Sequence, residues 1–101
     1  MKSTQKFEIL SDATNAIIAR YIERNFPGIL IQGDTLKIMF DDIEEIREAA
    51  AAGDLEVVKD LTDSLQSKLQ EILVHYEKVL KENGVELPYA NSVLSSPKMP
   101  E

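Results

Sequence analysis

The 101-residue sequence predicts an α+β fold, a three-stranded antiparallel β-meander packed against a two-helix antiparallel hairpin. Three observations predict it. Apolar side chains alternate with a period of two through the first third of the chain, and from position 34 they recur every three or four residues instead. Short clusters of turn formers, rather than long linkers, separate the periodic runs. A hydrophobic content of 44% suits one modest core, and the length is too short for two.

The first strand is expected over 6–10, KFEIL, where Phe7 and Ile9 share one face and Lys6 and Glu8 the other. SDATN supplies a turn. The second strand, over 16–22, places Ile18, Arg20 and Ile22 on one side and Ile17, Ala19 and Tyr21 on the other. Asn25, Pro27 and Gly28 then turn the chain into a third strand over 29–33, with Ile29 and Ile31 toward the core. Phe26 and Tyr21 are read as core side chains.

The first helix is expected over 35–52, with Asp34 or Thr35 as N-cap and Leu36, Met39, Phe40, Ile43, Ile46 and Ala50 on its apolar face. It stops at Gly53. Asp54 caps a second helix over 54–83, whose apolar positions run from Val58 through Tyr76 to Leu80 before Asn83-Gly84 supplies a left-handed stop. The short link between them implies an antiparallel hairpin with its combined apolar face against the sheet. Residues 1–88 are read as a single domain. The stretch 89–101, YANSVLSSPKMPE, lacks apolar periodicity and is expected to be a flexible tail. Between the two regimes, RNFPGILIQGD (24–34) is the joint at which a period of two gives way to one of 3.6, with Gly33 as the sharp exit.

Charge narrows the function classes. With 18 acidic and 11 basic side chains the net charge is −7, which disfavours nucleic acid and anionic membranes as partners and suits a basic protein. The imbalance is local. Residues 1–33 carry +1, residues 34–63 carry −7 and residues 64–101 carry −1. The densest part is DDIEEIRE, where Asp41, Glu44, Glu45 and Glu48 line one side of the first helix and Asp42 lies at its margin. Like charges at this spacing repel by a few tenths of a kcal/mol per pair, so the cluster is a solvated face, a surface suited to steer onto a basic one, or a divalent-metal site, the last supported by neither EF-hand spacing nor a carboxylate–histidine pair on opposed helices.

Chemistry of other kinds is sparse. There is no cysteine, hence no disulfide or thiolate ligand, and no EF-hand spacing; neither metal nor cofactor is expected. His75 stands four residues after Glu71, a spacing more often a local contact than a proton relay. Ser92, Ser95 and Ser96 fall in the expected tail. GILIQGD has two glycines but lacks both the Lys-Ser/Thr of a phosphate loop and the three-glycine dinucleotide fingerprint. Arg20 and Arg24 are candidates for an anion contact. No enzyme is expected. The N-terminus lacks the apolar run of a signal peptide and no stretch reaches the length of a membrane helix, so a soluble cytoplasmic protein is expected.

The stretch ARYIERNFPGILIQGDTLKIMFDDIEEIREA, residues 19–49, resembles the core of HicB-type antitoxins, and the whole chain resembles a small uncharacterised bacterial domain family with an FPG…QGD motif. Phe26, Pro27, Gly28, Gln32, Gly33, Asp34 and Leu36 match that motif. The HicB likeness implies neutralisation of a small basic ribonuclease by covering its active face. The sequence departs from the HicB pattern in lacking Asp-Leu before Pro-Gly and in carrying the long helix 54–83 where a final strand and DNA-binding segment stand, so autorepression is not implied.

The leading expectation is therefore a non-catalytic acidic binding protein of antitoxin or immunity type, whose carboxylates Asp41, Asp42, Glu44, Glu45 and Glu48 cover a basic partner protein such as a toxin. Two alternatives stand beside it. One is a structural homo-oligomer, in its simplest form a homodimer, closed through the sheet face that bears Ile17 or Ile18 and Tyr21, or through an edge strand. The other is a small-ligand or anion-binding module at Arg20, Arg24 and the Pro-Gly turn.

Overall fold

The structure, a computed structural model, describes residues 2–94. Among them β1 (Phe7–Ser11), β2 (Ile17–Tyr21) and β3 (Gly28–Leu30) form one antiparallel sheet in the order β1-β2-β3, followed by α1 (Gly33–Ala51) and α2 (Leu55–Glu82). This is the expected α+β architecture. The described residues up to Leu30 and from Ile72 onward make one compact unit, and Ile31–Glu71 make another.

In the first unit, β1 pairs with β2 through Phe7↔Tyr21, Glu8↔Arg20 and Ile9↔Ala19, with an irregularity between Ile9 and Ser11. β3 pairs through Ile17↔Leu30, Ile18↔Ile29 and Ala19↔Gly28. Alternation sends Ile18 to the inner face, where it joins Tyr76, Val79 and Leu80 of α2 in the buried core, with Leu10, Ile29, Val85 and Leu87 packed around them. Full burial of Ile18 and Leu80 contributes about 2–3 kcal/mol each.

Three local expectations are corrected here. The reversal after β2 comes earlier than Pro27, closed by the Arg24 amide donating to the Tyr21 carbonyl at 2.8 Å, and Gly28 already belongs to β3. Phe26 is exposed rather than core. Pro27 is the buried member of its tripeptide, and its carbonyl accepts a 2.6 Å hydrogen bond from the Tyr76 hydroxyl. Proline lacks an N–H, and the ladder begins immediately after it, at Gly28. Ladder pairing also ends at Leu30, because the helix that follows starts early.

In the second unit, α1 begins at Gly33 with Gln32 as N-cap, and no side chain caps it. Asp34 is not the cap but lies in the first turn, accepting the Thr35 amide at 2.8 Å, where its negative charge still favours the helix start. Gly33, expected as the sharp exit from the strand, is instead the first residue of the helix. Both helix ends match the sequence. At α1 the Gly53 amide donates to Ala50 and the Asp54 amide to Ala49, and Asp54 then caps α2 by accepting the Val57 amide at 3.2 Å. At α2 the Gly84 amide donates to Lys81 and the Val85 amide to Leu80, while Val85 packs beside Leu80. Gly53 and Gly84 have φ of 74° and 68°, the left-handed region such stops require. A Cβ at Gly53 would meet no atom within 4 Å, so Gly53→Ala should cost about 1 kcal/mol from backbone conformation alone, measurable as a lower urea midpoint with unchanged m-value.

Candidate functional site

A helix advances 100° per residue, and burial along α1 follows that geometry. Met39 is buried and Thr35, Asp42, Ile46 and Ala49 are half-buried, a seam that recurs every three or four residues. Val58, Leu61, Leu65 and Lys68 repeat the spacing on α2. The Lys68 ammonium donates to the Asp42 carboxylate at 2.7 Å across this hairpin. Only a narrow stripe is needed when two helices pack as a pair.

The rest of α1 faces outward, and this corrects the reading of its apolar residues. Leu36, Phe40 and Ile43, expected in the core, are exposed. They stand at i, i+4 and i+7, one row beside the seam. Beyond that row runs the acidic stripe of Asp41, Glu44, Glu45 and Glu48, all exposed. The five predicted carboxylates thus divide. Asp42 turns inward to Lys68. Asp41 is paired with Lys37, whose ammonium also sits 5.6 Å from the centroid of the Phe40 ring. Among the described residues no ion pair engages Glu44, Glu45 or Glu48.

The remaining predicted positions have local roles. Phe26, Pro27 and Gly28 belong to the first unit and Gln32, Gly33 and Asp34 to the second. Gln32 contributes its carbonyl, which accepts the Leu36 amide at 3.1 Å in the first turn of α1. Arg20 is engaged by Glu8, its cross-strand neighbour, and Arg24 is exposed. His75 meets Ser11 rather than Glu71, with 2.9 Å between Nε2 and the hydroxyl oxygen. A hydroxyl and an imidazole at that distance are two members of an acyl-transfer triad, but the described residues give His75 no carboxylate on its other nitrogen. The described residues also contain no group of three or more His, Asp or Glu side chains arranged to hold a metal ion.

One polar cluster escaped sequence reading. Glu77 is 2% exposed on α2, and its two carboxylate oxygens accept hydrogen bonds from the Tyr89 and Ser92 hydroxyls and from the Val93 and Leu94 amides. Burial by itself raises the pKa of this carboxyl. The four donors outweigh that effect and bring it from 4.5 down to about 2. Tyr89 is shifted upward, first by burial and then by its bond to Glu77 and the charge there. Residues 89–94, expected within the flexible tail, are thereby held against α2, while 95–101 lie outside the described residues. The sequence signal was available: Leu73, Glu77 and Leu80 form an i, i+4, i+7 row, and a lone carboxylate in a leucine row calls for donors from elsewhere.

A family of unknown function, DUF6959, matches residues 2–89, and the chain belongs to it. No curated protein and no solved structure matches the chain. No helix among the described residues is long and apolar enough to cross a membrane.

Proposed function

We propose that this chain is a non-catalytic protein-binding domain that covers a basic partner protein with the outward face of α1, in the manner of an antitoxin or immunity protein acting in the cytoplasm. The observation that carries the reading is the adjacency of two rows on one helix. Leu36, Phe40 and Ile43 are exposed beside the uncompensated Glu44, Glu45 and Glu48. Charge gives long-range attraction and orientation, while the apolar row supplies contact area on arrival. Neither row alone is informative, since solvated acidic faces and single exposed apolar residues are common. Together they make a surface that a basic, partly apolar groove would complement. The resemblance of residues 19–49 to HicB-type antitoxins supports the same assignment, because most of α1 falls inside that stretch.

Co-purification from its own cells tests this, comparing the chain with a Glu44→Lys, Glu45→Lys, Glu48→Lys variant and identifying bound proteins by mass spectrometry. A strongly basic protein should be enriched at least tenfold on the unaltered chain, be lost on the variant, and bind more weakly as salt rises. The same bound proteins on both baits would overturn the proposal. Because all three glutamates are exposed, the variant should keep its circular dichroism spectrum and melting temperature within a few degrees.

A further inference from the structure

The outer face of the sheet, opposite Ile18, carries Phe7 and Ile9 from β1, Ile17, Ala19 and Tyr21 from β2, and Gly28 and Leu30 from β3. Phe7, Ile9 and Leu30 are 56, 58 and 62% exposed. The Phe7 and Tyr21 rings lie 5.3 Å apart at a tilt of 52°, and the Tyr21 hydroxyl donates to Gln5 at 3.0 Å. We propose that this face is a dimer interface, covered by the same face of a second copy of the chain.

Two features select a second copy. The first is charge. Glu8 and Arg20, the charged residues of β1 and β2, pair with each other on the Ile18 face, so none of the strand residues on the outer face is acidic or basic. A basic partner finds nothing there to attract it, and nucleic acid finds no cation. Two copies of a chain with net charge −7 repel over most of their surface, and a neutral face lets them meet without that penalty.

The second feature is relief. Across the middle of the sheet the paired residues run Ile9, Ala19, Gly28, from a protruding side chain to a small one to none. A Cβ built on Gly28 would meet no atom within 4 Å, so the Gly28 end of this row is an open trough. The rows Phe7–Tyr21 and Ile17–Leu30 bound it on either side. A two-fold axis through such a face seats each copy's Ile9 in the other's Ala19–Gly28 trough, a closed, self-complementary contact. Sheets packed in this way lie about 10 Å apart. Covering the exposed apolar groups removes roughly 400–500 Å² per copy, about half of a standard interface, the size of a weak, concentration-dependent dimer.

Sedimentation equilibrium of the full chain between about 1 and 300 μM tests the proposal. The mass should rise from one chain to two across that range. Ile9→Lys, which puts a charge in the trough, and Gly28→Leu, which fills it, should each raise Kd at least about 30-fold while the circular dichroism spectrum stays unchanged. Phe40→Glu, on the outward face of α1, should leave Kd as it was. A chain that stays monomeric at 300 μM, or variants at Ile9 and Gly28 that dimerise as well as the unaltered chain, would overturn the proposal. Loss of dimer in Phe40→Glu alone would place the interface on α1 and overturn it equally.

Discussion

Glu77→Ala is expected to destabilise the first unit by about 2–4 kcal/mol, a large share of the 5–15 kcal/mol that holds a typical domain together. The reason lies in what the carboxylate leaves behind. Its oxygens accept from two hydroxyls and from the Val93 and Leu94 amides. A hydroxyl can rotate to another partner, but a backbone N–H has a fixed direction. Removing the carboxylate strips the Val93 amide of its acceptor, leaves the Leu94 amide only its 3.1 Å bond to the Ser92 hydroxyl, and frees the 89–94 segment from α2. Glu77→Gln separates charge from shape. The amide keeps one acceptor oxygen and turns an NH₂ toward donors on the other side, so one of the two backbone amides still faces a donor, at a cost of about 2–3 kcal/mol.

The same residue predicts an acid limit. Its carboxyl titrates near 2 in the folded chain against 4.5 ordinarily. Between those values the unfolded chain binds the proton and the folded one does not, so stability rises with pH through that window and falls on acidification. The contribution, on the order of 3 kcal/mol, is complete above pH 4.5 and lost by about pH 2. Urea melts at pH 6, 4.5, 3 and 2.5 should therefore converge for the unaltered chain and Glu77→Gln as pH falls. Parallel pH profiles for the two would show that Glu77 is not held by these donors. Hydrogen exchange at Val93 and Leu94 gives an independent readout, slow at both in the unaltered chain, faster at both in Glu77→Ala, and faster in Glu77→Gln only at the amide that faces the new NH₂.

What sequence could and could not show divides by distance along the chain. The strands were legible because Phe7, Ile9, Ile17, Ala19 and Tyr21 alternate over single steps, and both helix stops because Gly53 and Gly84 each act within five residues. The acidic stripe was legible as a stripe. That Asp42 leaves it depends on Lys68, 26 residues away, and no local pattern reports that. The Glu77 donors lie 12–17 residues downstream, beyond a left-handed stop, in a stretch whose composition is that of a tail. Ser11 and His75 are 64 positions apart. The α1 N-terminus was misplaced for the opposite reason: Asp34 and Thr35 are strong local candidates, yet the helix starts before them with no side-chain cap at all.

Leu80→Ala and Leu36→Ala are expected to differ by about 3 kcal/mol, although sequence periodicity ranks the two leucines alike. Leu80 is 0% exposed and packs with Ile18, Tyr76 and Val79, and its carbonyl accepts the Val85 amide that closes α2. Truncation there removes buried methyl groups and leaves a cavity between a sheet and a helix that cannot both relax, for about 3–4 kcal/mol. Leu36 is 60% exposed on the row beside the acidic stripe, so the same truncation should cost less than about 0.5 kcal/mol. Chemical denaturation of the two variants measures the contrast directly, and equal losses would mean that the row of Leu36, Phe40 and Ile43 is covered within the chain. The contrast also bears on function. If the row contacts a partner, Leu36→Ala weakens that complex in a protein of normal stability, whereas Leu80→Ala weakens it only as far as it unfolds the chain. Stability and binding measured on both variants therefore separate a side chain that holds the fold from one that the fold holds out to a partner.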